Sequence, residues 1–154
     1  MDALTLLKKD HDAVKQLFRE LDELGQRAVM AREKIAQKIA EELRLHSEVE
    51  EQIVYPAIKE KTKGGSDERV EVLESYEEHA LVANLLDELG GTDPKDESYR
   101  AKLRVIETLV LQHVKEEEGR LFRLARDVLD HRELAQLGEE IAAAKQRGRV
   151  PSHA

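Results

Sequence analysis

Six residues of this chain could act together as Lewis bases: His11, His46 with Glu50, His79, and His113 with Glu117. Each falls where the surrounding helical pattern calls for an apolar side chain, and a polar group at a core position is costly unless something satisfies it. A histidine and a glutamate four residues apart project from one helix face about one turn apart. The imidazole can then hold one ion while the carboxylate reaches across to a second. This pair occurs twice, as His46/Glu50 and His113/Glu117. Four imidazoles and two bridging carboxylates would give each of two ions two nitrogens and two oxygens, leaving octahedral positions open for solvent, dioxygen or peroxide. Such donors suit iron, manganese or zinc, and the open positions favour iron.

The elements that must position these residues are helical throughout. Leu4, Leu7, His11, Val14, Phe18 and Leu21 recur every three or four residues, with Asp2 as N-cap and Gly25 as a stop. A second helix is predicted from about Met30 to Lys61, with Ile35, Ile39, Leu43, His46, Glu50, Ile53 and Ala57 on one stripe. Pro56 should kink its last turns, because the ring removes a backbone donor. After a turn at Gly64, Gly65 and Ser66, a third helix runs from about Asp67 to Leu89 with Val72, Tyr76, His79, Val82 or Ala83, and Leu86 inward. Gly90 and Gly91 stop it, and Thr92 to Glu97 is a loop around Pro94. The fourth, about Ser98 to Leu129, carries Leu103, Ile106, Val110, His113, Glu117, Leu121, Leu124 and Val128. Asp130 and Glu133 have capping-box spacing for a shorter fifth helix that buries Leu134, Leu137 and Ile141. Residues 1–146 read as one metal-binding bundle, and 147–154 as a flexible tail.

Short connections favour antiparallel neighbours, so the first four helices should form an up-down-up-down bundle. Counted inward from one end of it, His11, Glu50, His79 and Glu117 each lie about ten to twelve residues deep, a depth of roughly 15–18 Å at a helical rise of about 1.5 Å per residue. His46 and His113 lie one turn deeper. The six side chains converge on one level.

Composition narrows the class. A length of 154 residues suits a single core, and the absence of cysteine excludes disulfides, thiolate metal sites and cysteine nucleophiles. No apolar run approaches the roughly 20 residues that span a bilayer, and the first residues lack the basic start of a signal peptide. The expectation is a cytoplasmic protein with no membrane partner. A net charge of −8, spread along the helices, argues against nucleic acid. No phosphate-cradling glycine loop or hydrolytic triad is visible, which leaves a small diatomic molecule or peroxide as the expected ligand. Nothing in the pattern fixes the oligomeric state.

The segments KKDHDAVKQLF around His11, LHSEVEEQIVYPAI around His46 and Glu50, EEHALVANLLDEL around His79, and QHVKEEEGRLFRLA around His113 and Glu117 resemble the hemerythrin-like, or HHE cation-binding, domain. The resemblance implies a non-haem diiron centre with an oxo or hydroxo bridge. It would place His11 and His46 on one iron and His79 and His113 on the other, with Glu50 and Glu117 bridging. Oxygen-carrying hemerythrins supply a second histidine four residues from the first on the third helix, whereas Ser75 and Ala83 flank His79 here. The iron nearer that helix would keep an extra open position, which favours peroxide disproportionation over reversible oxygen carriage. The alternative is a non-catalytic module for iron or oxygen sensing, storage or metal buffering. The carriers also place their fourth-helix carboxylate five residues after the histidine, the position of Glu118. Glu117 keeps the spacing of the second helix and is preferred.

A lone histidine on an apolar face is ordinarily a hydrogen-bonded core residue, but four in register with two matched glutamates are not explained that way. His131, beside a helix cap, and His153, in the tail, stand outside the set. Tyr76 and Tyr55 could each be a core residue, a hydrogen-bond donor to the centre or a replacement ligand. Glu51, Glu74 and Glu78 could orient imidazoles or simply face solvent.

Overall fold

The computed structural model describes residues 1–149, all five helices of which follow from the pattern above. The first helix is Ala3–Asp22, begun by the Asp2 side chain accepting from the Thr5 amide at 2.9 Å. The second spans 29–60, the third is Asp67–Gly90, the fourth spans 97–128, and the fifth is His131–Arg149. Ser66 caps the third after a turn in which Gly65 takes a φ of 78°, a conformation that favours glycine. Asp96 caps the fourth. The expected capping box opens the fifth: the Glu133 amide donates to Asp130 at 2.8 Å and the Asp130 amide to Glu133 at 3.2 Å. That helix continues to Arg149, three residues into the expected tail, and residues 150–154 lie outside the described ones.

The first four helices form an up-down-up-down bundle. The first packs on the second and the third on the fourth, while the fifth lies along the first and part of the second. No helix among the described residues is long and apolar enough to cross a membrane. Two apolar clusters divide the interior. One joins Leu7, Val54, Ile58, Val72, Leu121 and Ile141; the other joins Val14, Phe18, Ile39, Leu86, Ile106 and Val110. His11, His46, His79 and His113 each fall on their helix between residues of the two clusters, so the polar layer is sealed from both ends.

The kink expected at Pro56 is not where the second helix becomes irregular. Val29–Val49 is α-helical, Glu50–Val54 forms a π turn in which the Tyr55 amide donates to the Glu50 carbonyl, and Tyr55–Glu60 resumes the α-helix with Pro56 in its first turn. The wider turn breaks the regular register in which the proline ring would meet the carbonyl four residues back. The fourth helix repeats the device. A π turn at Glu117–Leu121, containing Gly119, joins Glu97–Glu116 to Phe122–Val128, and the Phe122 amide donates to the Glu117 carbonyl.

These turns shift the buried face. In a regular helix a residue five positions on is rotated by about 140°, but across a π turn it returns to the same side. The expected stripe through Ile53 and Ala57 is therefore wrong beyond Glu50. Val54, Tyr55 and Ile58 are buried instead, and Ile53 and Ala57 are only partly so.

Candidate metal centre

All six predicted residues meet in the sealed layer, each at most 8% exposed. They form two groups whose ligand atoms lie within 4.8 Å of one another: His11, His46, Glu50 and Glu117, and Glu50, His79, His113 and Glu117. The two glutamates are common to both. His46 Nε2 lies 3.0 Å from Glu50 Oε1, and His79 Nε2 lies 3.2 Å from the same oxygen. His11 Nε2 lies 3.1 Å from Glu117 Oε1, and His113 Nε2 lies 3.2 Å from Glu117 Oε2.

The outer nitrogen of every imidazole meets its own carboxylate. His11 Nδ1 pairs with Glu118 at 2.7 Å and His46 Nδ1 with Asp10 at 2.8 Å. His79 Nδ1 pairs with Glu51 and His113 Nδ1 with Glu78, both at 3.2 Å. An ionised carboxylate only accepts, so each Nδ1 carries a proton and each Nε2 points inward. The Nε2 atoms face carboxylate oxygens and one another, with His79 and His113 Nε2 only 3.3 Å apart. His11 Nε2, His46 Nε2, both Glu50 oxygens and Glu117 Oε1 are buried without a hydrogen-bond partner despite these short separations. Converging, unpartnered donor atoms of this kind fit metal ions, which would neutralise charge that is otherwise expensive to bury.

Protons are the alternative occupants, and the electrostatics show their pull. Burial opposes charging of His46, but Glu50, Asp10 and Glu117 outweigh it and raise its pKa well above the usual histidine value. His113 is pushed up to about 10, because Glu117, Glu78 and Glu50 overcome its burial. Burial likewise opposes ionisation of Glu117, yet contacts with Glu50, His11 and His113 hold it well below the usual carboxylate range.

Tyr55, rather than Tyr76, enters the centre. Fully buried, it donates from its hydroxyl to Glu117 Oε2 at 2.6 Å and lies 3.2 Å from His79 Nε2. Burial and the charges of Glu50 and Glu117 raise its pKa well above 10, which keeps the proton on the phenol. Tyr76 packs edge-on against the Tyr55 ring at 5.2 Å, with Lys59 over its own face. Ser75, the position before His79 where the oxygen carriers can have a histidine, is buried within hydrogen-bonding reach of Tyr55. Ala83 instead lines an outer groove between the second and third helices.

The arrangement is an internal repeat. Asp10-His11 on the first helix corresponds to Glu78-His79 on the third, and His46, Glu50, Glu51 and Tyr55 on the second correspond to His113, Glu117, Glu118 and Phe122 on the fourth. Phe122 stacks on His11 at 6.1 Å, as Tyr55 lies against His79 at 5.4 Å. Glu118 therefore contacts the outer nitrogen of His11 and lies outside both donor groups. Glu51 and Glu78 have the orienting contacts considered for them, whereas Glu74 makes no hydrogen bond or ion pair among the described residues. Asp10 was not expected; the recurring acid-histidine dipeptides were the signal that could have found it. His131 stands at the start of the fifth helix, away from the centre, and His153 lies outside the described residues.

The chain is 26% identical over 147 residues to a DNA nickase of Nostoc sp. (strain PCC 7120 / SAG 25.82 / UTEX 2576), an alignment covering 96% of this chain and 40% of that protein. The chain thus spans about two fifths of the length of this curated relative. A crystal structure of a hemerythrin HHE cation-binding domain-containing protein from Mycobacterium kansasii superposes with a TM-score of 0.82 at 25% identity, over 97% of this chain and 88% of that one. The family profile for the hemerythrin HHE cation-binding domain matches residues 2–125, so the chain belongs to that family.

Proposed function

We propose that the centre holds two iron ions and binds or transforms a small oxidant, with peroxide disproportionation as its favoured reaction. His11 and His46 would hold one ion, His79 and His113 the other, with Glu50 and Glu117 bridging. Two donor groups that share both glutamates carry this reading, because two bridging carboxylates have little purpose for a single ion. Manganese or zinc suits the same donors. When bound, iron would supply Lewis acidity and a two-electron relay, giving two electrons to one peroxide to form two waters and recovering two from another to form dioxygen.

The chain's own residues fit that chemistry. Tyr55 holds a proton at its hydroxyl beside His79 and Glu117. Val14, Leu43, Val82, Val110 and Val114, with the four histidines, line a small cavity of about 30 Å³, room for a molecule of a few atoms. Leu43, Ser47, His79 and Val82 separate it from an open groove of about 450 Å³ between the second and third helices, which offers a path from solvent.

Iron-replete protein should show near-ultraviolet charge-transfer bands that respond to peroxide, and should evolve oxygen. Folded, iron-loaded protein with an unresponsive spectrum and no activity above free iron would favour the alternative, a non-catalytic module for sensing, storage or metal buffering. We infer no nucleic-acid partner for this chain, on the strength of its net charge of −8. Nicking of supercoiled plasmid by the metal-loaded protein would overturn this.

A further inference from the structure

The internal repeat is broken in two places. One is Tyr55 against Phe122. The other lies outside the ligands, in the four carboxylates that hold the imidazoles. Lys145 of the fifth helix forms an ion pair with Asp10 Oδ1, while Asp10 Oδ2 accepts from His46 Nδ1 at 2.8 Å. The Lys145 and Asp10 side chains are only 12% and 11% exposed. Glu118, Glu51 and Glu78, the other three carboxylates, have no lysine or arginine partner among the described residues. Two other lysine ion pairs among the described residues are surface contacts, Lys8–Asp12 at 57% and 58% exposure and Lys61–Glu133 at 46% and 37%.

We propose that Lys145 is a positioning residue for the metal centre, which makes its two ion positions inequivalent by acting on His46 through Asp10. The inference rests on His46 being a ligand, as proposed above. A carboxylate that accepts the outer imidazole proton makes the inner nitrogen a better electron donor. An ammonium group on that carboxylate takes part of its charge and weakens the effect, and its own positive charge disfavours a cation nearby. Both influences act in one direction. The His11/His46 position becomes the weaker of the two and, if it holds iron, the one that stays reduced longer. The fifth helix supplies no ligand, yet it sets the balance between the two ions.

The test is stepwise loading of the full chain with cobalt(II), followed by visible absorption. Wild-type protein should fill in two resolved steps. Lys145→Met should raise the affinity of the weaker step by about tenfold, the scale of effects on metal affinity from groups that hold a ligand, and draw the two steps together. Lys145→Arg should keep them apart. In an Asp10→Asn background, where only the direct repulsion remains, Lys145→Met should move the weaker step by clearly less than in wild-type protein, which distinguishes action through Asp10 from general loosening of the fifth helix. Two cobalt steps that Lys145→Met leaves in place, or that Met and Arg move alike, would overturn the inference alone. A folded protein that takes up no cobalt would overturn the metal reading and this inference with it. A fall in the melting temperature of chelated Lys145→Met, with both steps unmoved, would reduce Lys145 to a structural contact and also count against it.

Discussion

The Tyr55 hydroxyl donates to Glu117 Oε2 at 2.6 Å, tying the second helix to the fourth through the middle of the centre. Removing that hydroxyl in Tyr55→Phe leaves a buried carboxylate oxygen short of a donor, at a cost of about 1–3 kcal/mol. Peroxide turnover should fall by more than metal content does, because Tyr55 holds a proton beside His79 without belonging to either group of potential ligands. Oxygen evolution, metal analysis and thermal melts on one preparation check this. Unchanged turnover at full metal content would remove Tyr55 from the chemistry.

Metal content should reach about two ions per chain. Because Glu50 and Glu117 belong to both donor groups, replacing either by alanine should empty both positions together, whereas His131→Ala should leave the content unchanged. Folded wild-type protein, expressed in excess iron, that holds at most one ion would contradict the two-ion reading.

Chelation and pH should act together. The folded-state pKa of His113 in the metal-free protein is raised from 6.5 to about 10, and His46 is raised as well. A raised pKa contributes stability that is fully present below the unfolded value and is lost as pH rises through the folded one. Chelated protein should therefore lose stability between about pH 6.5 and 10. In loaded protein the ions hold the imidazoles, so its melting temperature should stay flatter over the same range. Loading at neutral pH should also release protons, measurable in weakly buffered solution. A gap between the two melting temperatures that does not widen with pH, together with no proton release, would contradict this account.

Ser75 and Ala83 are not equivalent substitutes for the histidine that oxygen carriers have on the third helix. Ser75 lies against Tyr55 within the buried layer, whereas Ala83 lines the outer groove. Ser75→His should place an imidazole beside His79 and slow peroxide turnover severalfold, while Ala83→His should leave the centre's spectrum unchanged. Equal effects at the two positions would show that the groove and the centre are not distinct environments.

The helices, their caps and the six converging residues were legible because three- and four-residue spacing, Asp2, Ser66 and the Asp130/Glu133 pair are local signals. What periodicity missed begins at Glu50 and Glu117. A π turn changes the count by one residue, so a regular stripe placed Ile53 and Ala57 where Val54, Tyr55 and Ile58 belong. The carboxylates behind the imidazoles were harder to find for a different reason. Asp10 and Glu118 neighbour ligands in sequence, yet each serves a histidine on another helix, a relation that exists only after packing. Lys145 was hidden in the same way, 135 residues from its partner.

The two π turns also bear on the order in which the centre can assemble. A turn of that kind is rarely favoured by an isolated helix, and a peptide spanning residues 29–60 or 97–128 would be expected to wind regularly, carrying Tyr55 or Phe122 to the wrong side. The correct phase then comes from docking of the helices rather than preceding it. Amide protons of Tyr55 and Phe122, bonded to the Glu50 and Glu117 carbonyls, should accordingly exchange with solvent only through opening of the whole bundle.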